Sequence, residues 1–463
     1  MRYRIEKDLL GQRQVPAEAY YGIETLRGKE NFEITKRGIC RQMIKALAIV
    51  KKAAAKANVD ALNIDEKVGK AIMLACDEIL NGRLHGQFVT DLIQGGAGTS
   101  MNMNANEVIA NRANELLGGK KGVYDFVHPN DHVNFGQSTN DVIQTAGKIA
   151  IVKQLKKLQV ELKKLYNAYL NKATEFKDVI KMGRTHLQEA LPLRLGQEFS
   201  AYASALNRDM KRIDVAIEAL LEVNMGATAI GTSLNANEKY RKKVIYYLNK
   251  FSGEQIKPAK DLIDATRNFD TFGQASSTLK LLALNLSKTA SDLRLMASSG
   301  SNGFSEITLP HVQPGSSIMP GKYNPVVPEM VNQVCFYVIG LDVTITKAIE
   351  AGQLELNVFG PIILMSLFEQ ITTLRRATRT FHNLAISGLI ANTTKYKTDN
   401  SIYLITALSP HLGHEEACNV VNEAISSEKT IKQVLLDHHI LSEEIINTVS
   451  YTHLRAHETD SYL

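Results

Sequence analysis

Tryptophan is absent from this 463-residue sequence, and Phe, Tyr and Trp together make up only 6% of it. That scarcity argues against aromatic-rich sheets and favours helices built from Ala, Leu, Lys and Ile. Cysteine is nearly absent as well. The four residues, Cys40, Cys76, Cys335 and Cys418, are scattered without a CxxC pair, which excludes a disulfide framework and fits reduced thiols in a cytoplasmic protein. Charge of one sign is also lacking. A formal +6 spread along the chain, with no Lys/Arg block and no Arg/aromatic clusters, makes nucleic acid a poor partner, although it suits an anionic small substrate. The N-terminus Met1-Arg2-Tyr3-Arg4-Ile5-Glu6-Lys7-Asp8 lacks the apolar core of a signal peptide, and no uninterrupted apolar run is long enough for a bilayer, so no membrane is expected. No repeat of fixed period is visible.

Proline is sparse where it matters. None occurs between Pro129 and Pro192 or between Pro258 and Pro310, whereas five of the eleven crowd into Pro310, Pro314, Pro320, Pro325 and Pro328. The gaps admit long helices and the cluster demands irregular chain. Apolar residues recur at helical spacing through Ile151, Leu155, Leu158, Leu162, Leu165 and Tyr169. They do so again through Leu195, Phe199, Tyr202, Leu206, Ile213, Ile217 and Leu220, and through Leu279, Leu282, Leu286, Leu293 and Met296. The stretches Pro328 to Gly352 and Pro361 to Gly388 add two more helices. The expected fold is mainly α, with a central elongated bundle of five long helices over residues 140–393. A shorter-ranged, mostly helical N-terminal part over 1–139 precedes it, and a small helical part over 394–450 follows. A chain this long is too large for one compact core, and its several apolar helix faces point to association between copies.

Four polar clusters interrupt the helices. Gly95-Gly96-Ala97-Gly98-Thr99-Ser100-Met101-Asn102-Met103-Asn104 lacks the lysine of a phosphate-binding loop; it reads as a turn capped by Thr99 or Ser100 whose amides and hydroxyl suit a carboxylate. Gly136-Gln137-Ser138-Thr139-Asn140-Asp141 supplies more capping residues than one helix start needs, which leaves hydroxyl and amide donors for a ligand. Gly183-Arg184-Thr185-His186-Leu187-Gln188-Glu189 places a histidine just before a helix, where it either packs structurally or handles a proton. The stretch 310–328 sets Ser316, Ser317, Lys322 and Asn324 between Gly315, Gly321 and the prolines, as a plain connector or as a loop that closes over a substrate. It is no nucleophile elbow, because GxSxG is absent. No metal site is expected: His414-Glu415-Glu416 fails the HExxH pattern, and His411, His438 and His439 read as surface residues.

The motif Gly315-Ser316-x-x-Met319-x-x-Lys322-x-Asn324 matches the signature G-S-x-x-M-x-x-K-x-N, and with the other three clusters in order the chain resembles the aspartase/fumarase superfamily from about residue 4 to about 445. Arg4-Ile5-Glu6-Lys7-Asp8-Leu9-Leu10-Gly11, Val15-Pro16-Ala17-Glu18-Ala19-Tyr20-Tyr21-Gly22 and the continuation Asn324-Pro325-Val326-Val327-Pro328-Glu329 are more similar to the aspartase branch than to the fumarases. The resemblance implies the three-domain fold of that superfamily, a homotetramer whose active sites are shared between subunits, a small dicarboxylate substrate and no organic cofactor. It implies anti-elimination of ammonia from L-aspartate to give fumarate, with hydration of fumarate to L-malate as the alternative activity and a non-catalytic helical assembly as the bland one. By the same resemblance Ser316 removes the C3 proton. Lys322, Asn324 and Thr185 hold the α-carboxylate; Thr99, Ser138, Thr139 and Ser317 hold the β-carboxylate; Asn140 and His186 lie near the amino group.

Three departures stand out. Ser301-Asn302 occupies a place where the family has Pro and a basic residue, Ser233 stands for a usual glycine, and Tyr323 for a usual valine. The tail 451–463 does not resemble the family's C-terminus and reads as a non-native extension.

Overall fold

A computed structural model describes residues 2–299, 303–392, 403–446 and 448, so Ser301, Asn302 and the tail 451–463 lie outside the described residues. Two antiparallel strands, β1 (Tyr3–Asp8) and β2 (Gly11–Pro16), open the chain. Then come α1 (Ile23–Asn31), α2 (Arg41–Asp60), α3 (Glu66–Leu80) and α4 (Thr99–Leu116). The five long helices follow as α5 (Thr139–Glu175), α6 (Leu195–Leu220), α9 (Asp270–Met296), α10 (Val326–Glu350) and α11 (Gly360–Phe381). Between α5 and α6 runs a hairpin, β3 (Ile180–Thr185) and β4 (Gln188–Arg194). Between α6 and α9 lie β5 (Glu222–Val223), α7 (Glu238–Ser252), β6 (Lys257–Pro258) and α8 (Leu262–Arg267). Strand β7 (Ile307–Thr308) pairs with β8 (Ile390–Ala391), and α12 (Tyr403–Leu412), α13 (His414–Ser427) and α14 (Ile431–Asp437) close the chain.

Every apolar residue of the three periodic runs is buried, from Leu155 and Leu158 on α5 to Ile213 on α6 and Leu279 and Leu282 on α9. The chain forms two compact units. The first comprises 1–163, 208–287 and 330–379; the second comprises 164–207, 288–329 and the part from 380 onward. Polar bonds cross-link the helices inside the first unit. Gln159 on α5 donates to Asp214 on α6 at 2.6 Å, and Asn285 on α9 to Asp209 on α6 at 2.8 Å. Ser276 and Lys280 on α9 both reach Asp342 on α10, at 2.7 and 2.6 Å, and Gln370 on α11 donates to Ser276 and to the Val338 carbonyl. Gly147 lets α11 approach α5 closely, since a Cβ there would sit 2.5 Å from a Leu364 methyl. Length and mean hydropathy (1.3 over 18 residues) alone would let α10 cross a bilayer. Its buried Asp342 and Asn332, bonded to Ser276 and Ser287 on α9, are instead how a bundle helix behaves.

In the first unit α1 is capped from outside. Its N-cap is Gly22, which has no side chain to offer, and the carboxylate of Glu107 on α4 accepts the N–H groups of Gly22, Glu24 and Thr25 and the Thr25 hydroxyl. A negative charge at a helix N-terminus is favourable. Burial nevertheless dominates and pushes the Glu107 carboxyl up to about 7, against the pull of those hydrogen bonds. A carboxyl raised in the folded state favours folding while protonated, so its contribution is complete below the ordinary value of 4.5 and is lost as pH rises through about 7. Urea titrations from pH 4 to 8 are therefore expected to show the wild type's stability advantage over Glu107→Ala shrinking with rising pH, by roughly 3 kcal/mol. In the second unit α12, α13 and α14 share a small core of Leu404, Leu408, Val420, Val434 and Leu435.

Candidate functional site

The sequence-predicted residues divide between the two units. Thr99, Ser138, Thr139 and Asn140 belong to the first; Thr185, His186, Ser316, Ser317, Lys322 and Asn324 belong to the second.

In the first unit, Gly96, Ala97 and Gly98 all have positive φ (79°, 57° and 95°), which swings the chain sharply into α4. The expected cap at Thr99 or Ser100 is not formed. Gly98 is the N-cap, Thr99 is already helical, and its hydroxyl donates back to the Gly96 carbonyl at 2.7 Å. Ser138, by contrast, caps α5: its Oγ accepts the Asn140 N–H at 3.2 Å while Asp141 accepts the Ser138 N–H at 2.9 Å. The two clusters meet through Asn102, one turn into α4, whose amide donates to Thr139 Oγ1 at 3.3 Å and to Asn134 Oδ1 at 3.2 Å. Asn140 donates its side-chain amide to the Ala229 carbonyl at 2.7 Å. Because Ser138 and Thr139 each accept a hydrogen bond, their O–H hydrogens remain as donors. Both line a cavity of about 750 Å³ together with Asn134, Gln137, Thr228 and Asn235.

Beneath that cavity lie two buried charged residues, Asp141 of the second polar cluster and Lys51, which no sequence feature announced. Lys51 on α2 is fully buried and donates to Asn134 Oδ1 at 2.7 Å and Gln137 Oε1 at 3.0 Å. Asp141 is equally buried and accepts the N–H groups of Gly226 and Thr228 at 3.1 and 3.0 Å. Burial brings Lys51 down to about 7 against the attraction of Asp141, and it lifts Asp141 to about 6 against its backbone hydrogen bonds and Lys51. Together they hold the 134–141 and 224–228 turns in place. Ser233 sits at φ 60°, a left-handed position that explains why glycine suits it; here its Oγ accepts from Arg241 at 3.3 Å.

In the second unit, Thr185 and His186 do not precede a helix as expected. They form the tip of the β3–β4 hairpin, where Thr185 pairs with Gln188 and the two-residue turn His186–Leu187 has positive φ at both positions (55° and 63°). That is the turn hand that matches strand twist. Both Thr185 and His186 are exposed, so the tip is presented to solvent.

The 315–324 loop closes on itself. Asn324 Nδ2 donates to the Gly315 carbonyl at 2.9 Å, and Gly315 packs so tightly on the Lys322 backbone that a Cβ would lie 1.9 Å from the Lys322 carbonyl oxygen. Inside this ring Ser316 Oγ accepts the backbone N–H groups of Ile318 and Met319, both at 3.2 Å. Ser317 and Lys322 are exposed on the loop. Tyr323 stacks flat on His311, with centroids 3.6 Å apart and planes 8° from parallel. An aromatic ring at this position therefore braces the loop root as a valine would not.

All four cysteines are free thiols. Among the described residues no three His, Cys, Asp or Glu side chains converge as a metal site would require; His438 pairs with Glu423 at 2.7 Å instead.

Polar helix starts and a serine-bearing, glycine-bounded loop thus stand on a helical scaffold, and two family models match the chain: one described as lyase, over residues 11–340, and one described as fumarase C C-terminus, over residues 404–450. The chain belongs to this lyase family and has its mainly α fumarase/aspartase fold. Among curated relatives it is 51% identical to an aspartate ammonia-lyase of Bacillus subtilis, covering 96% of this chain and 94% of that one. It is 48% identical to an aspartate ammonia-lyase of Helicobacter pylori, covering 96% of each. Among solved structures it resembles a fumarate lyase:delta crystallin of Brucella melitensis (TM-score 0.95, 44% identity, covering 98% and 99%) and a class II fumarase of Schistosoma mansoni (TM-score 0.94, 34% identity, covering 97% and 98%).

Proposed function

We propose that this carbon–nitrogen lyase catalyses the reversible anti-elimination of ammonia from L-aspartate to give fumarate. The observation that carries the chemistry is the Ser316 hydroxyl, which receives two backbone N–H groups inside a closed loop. An ordinary serine hydroxyl is far too weak an acid to stand as an alkoxide in water at neutral pH. Two amides directed at its oxygen favour the alkoxide, and Lys322 on the same loop adds positive charge. The alkoxide takes the C3 proton, and the electrons move into the β-carboxylate to form an aci-carboxylate bearing two negative charges. Hydroxyl donors from Ser138, Thr139, Thr99 and Ser317 oppose that developing charge, so they bind the transition state more tightly than the substrate. Of these, Ser138 and Thr139 already present their O–H hydrogens, whereas Thr99 must first release the Gly96 carbonyl. Lys322, Thr185 and Asn324 fix the α-carboxylate; one amide hydrogen of Asn324 is spent on Gly315, which leaves the other for substrate. Asn140 and His186 face the amino group, and collapse of the intermediate expels ammonia. Nothing in the sequence of steps calls for an organic cofactor.

We place the activity in a cytoplasmic homotetramer with active sites shared between subunits. The exposed Phe336, Tyr337 and Val343 on α10 support association, since a stripe of large apolar side chains on a bundle helix is costly in water. Relatives named aspartate ammonia-lyase at 46–51% identity, against 34% for the fumarase, favour the amino over the hydroxyl leaving group. The assay is direct: purified protein is given L-aspartate and, separately, L-malate, and fumarate is followed by its absorbance. Fumarate from L-aspartate is expected. Fumarate from L-malate alone would assign a hydratase, and none from either would leave a non-catalytic assembly.

A further inference from the structure

Surface ion pairs contribute little, but a buried charge network that loses one member leaves the others uncompensated. The second unit holds such a network immediately behind the hairpin. Lys181 on β3 lies 2.8 Å from Glu306 Oε2 and 3.0 Å from Glu198 on α6, and Arg184, also on β3, donates to Glu306 Oε1. Glu306 is 2% exposed and Lys181 5%. The Arg184 guanidinium also lies 4.3 Å from the centre of the Phe304 ring. The backbone of Glu306 is fixed as firmly as its side chain, because its N–H donates to the Met296 carbonyl at 2.8 Å and its carbonyl accepts from Asn392 at 2.9 Å.

The network's place in the chain gives it a consequence beyond packing. Arg184 directly precedes Thr185 and His186 at the hairpin tip. Glu306 directly precedes β7, which runs through Pro310 into the loop of Ser316 and Lys322. One carboxylate thus ties the first strand of the hairpin to the strand that leads into the loop, between residues more than a hundred positions apart. We infer that Glu306 is a positioning residue that acts through Arg184 to set where Thr185 and Ser316 stand in the second unit. The inference rests on the roles proposed above for those two residues. A glutamine at 306 keeps the volume, but it removes the charge and turns an N–H₂ group toward one of the two cations.

The test uses the whole 463-residue chain. Glu306→Gln is expected to lower kcat on L-aspartate by about 10²-fold, the scale of an ångström-sized misplacement, with little change in KM and an unchanged circular dichroism spectrum. The primary isotope effect with 3-deuterated L-aspartate is expected to rise, because proton abstraction by a displaced Ser316 becomes the slow step. Glu306→Asp, which restores the charge, is expected to recover part of kcat. A lower melting temperature with wild-type kcat per folded site and a wild-type isotope effect would show a merely structural role and overturn the inference. Should Glu306→Gln fail to fold, Arg184→Lys replaces the planar fork with a single ammonium while keeping the charge. A folded Arg184→Lys protein with reduced kcat supports the inference, and one with wild-type kcat overturns it. A wild-type protein inactive on L-aspartate would instead reject the function on which the inference depends.

Discussion

Ser316→Ala will reduce kcat on L-aspartate by about 10²–10⁴-fold, the range set by removal of a positioned general base, while the protein stays folded. The hydroxyl is half-buried and accepts the backbone amides of Ile318 and Met319. Its loss leaves two N–H groups on an exposed loop, where water satisfies them, so the cost in stability is small. The cost in rate is large because no neighbouring side chain on the loop can take over: Ser317 lies next along the chain but has no comparable pair of amides on its oxygen. Steady-state kinetics check this, with KM expected to change much less than kcat, as for a group that acts in the transition state. A near-wild-type kcat would remove Ser316 from the chemistry.

Gly315→Ala is the second large effect, and it arises from sterics. A Cβ at 315 would lie 1.9 Å from the Lys322 carbonyl oxygen and 2.8 Å from its carbon, so backbone rather than a flexible side-chain end must move. The loop ring opens, the Asn324–Gly315 bond is lost, and Lys322 shifts with its peptide. Activity is expected to fall by about 10²-fold, since both the base and the carboxylate clamp leave their positions together. Gly321→Ala is the control. Gly321 has a positive φ of 83° but open space around its Cβ, so the substitution costs only about 1–2 kcal/mol of backbone strain. Equal losses in the two variants, measured as kcat/KM, would contradict the steric account.

Features that depend on local periodicity and capping were legible in the sequence. Leu155, Ile213 and Leu279 are buried as their spacing predicts, and α10 begins and ends close to Pro328 and Gly352, whereas α5 ends at Glu175 and α9 starts at Asp270 with no proline beside them. Ser138 caps α5 by ordinary rules. The hairpin carrying His186 was not legible, because a two-residue turn of this hand is usually marked by Asn-Gly, and His186-Leu187 carries no such mark. Thr99 misled for a similar reason: three successive positive-φ residues let Gly98 take the cap, and no pattern distinguishes that from a hydroxyl cap. Lys51 was invisible because a lysine is by default a surface residue, and its partners Asn134 and Gln137 lie more than eighty positions away. Glu306 and Arg184 escaped on the same ground, since only tertiary structure brings their charges together. The motif residues themselves were all visible, but their division between two units was not.

Loss of ammonia from L-aspartate begins with proton transfer at C3 in the mechanism proposed here, and the reverse reaction in heavy water reports on it most directly. Fumarate and ammonium incubated with the protein in D₂O should yield L-aspartate carrying a single deuterium at one C3 position, followed by proton NMR, with none formed by the Ser316→Ala protein. Malate in place of aspartate, or deuterium scrambled over both C3 positions, would contradict the account.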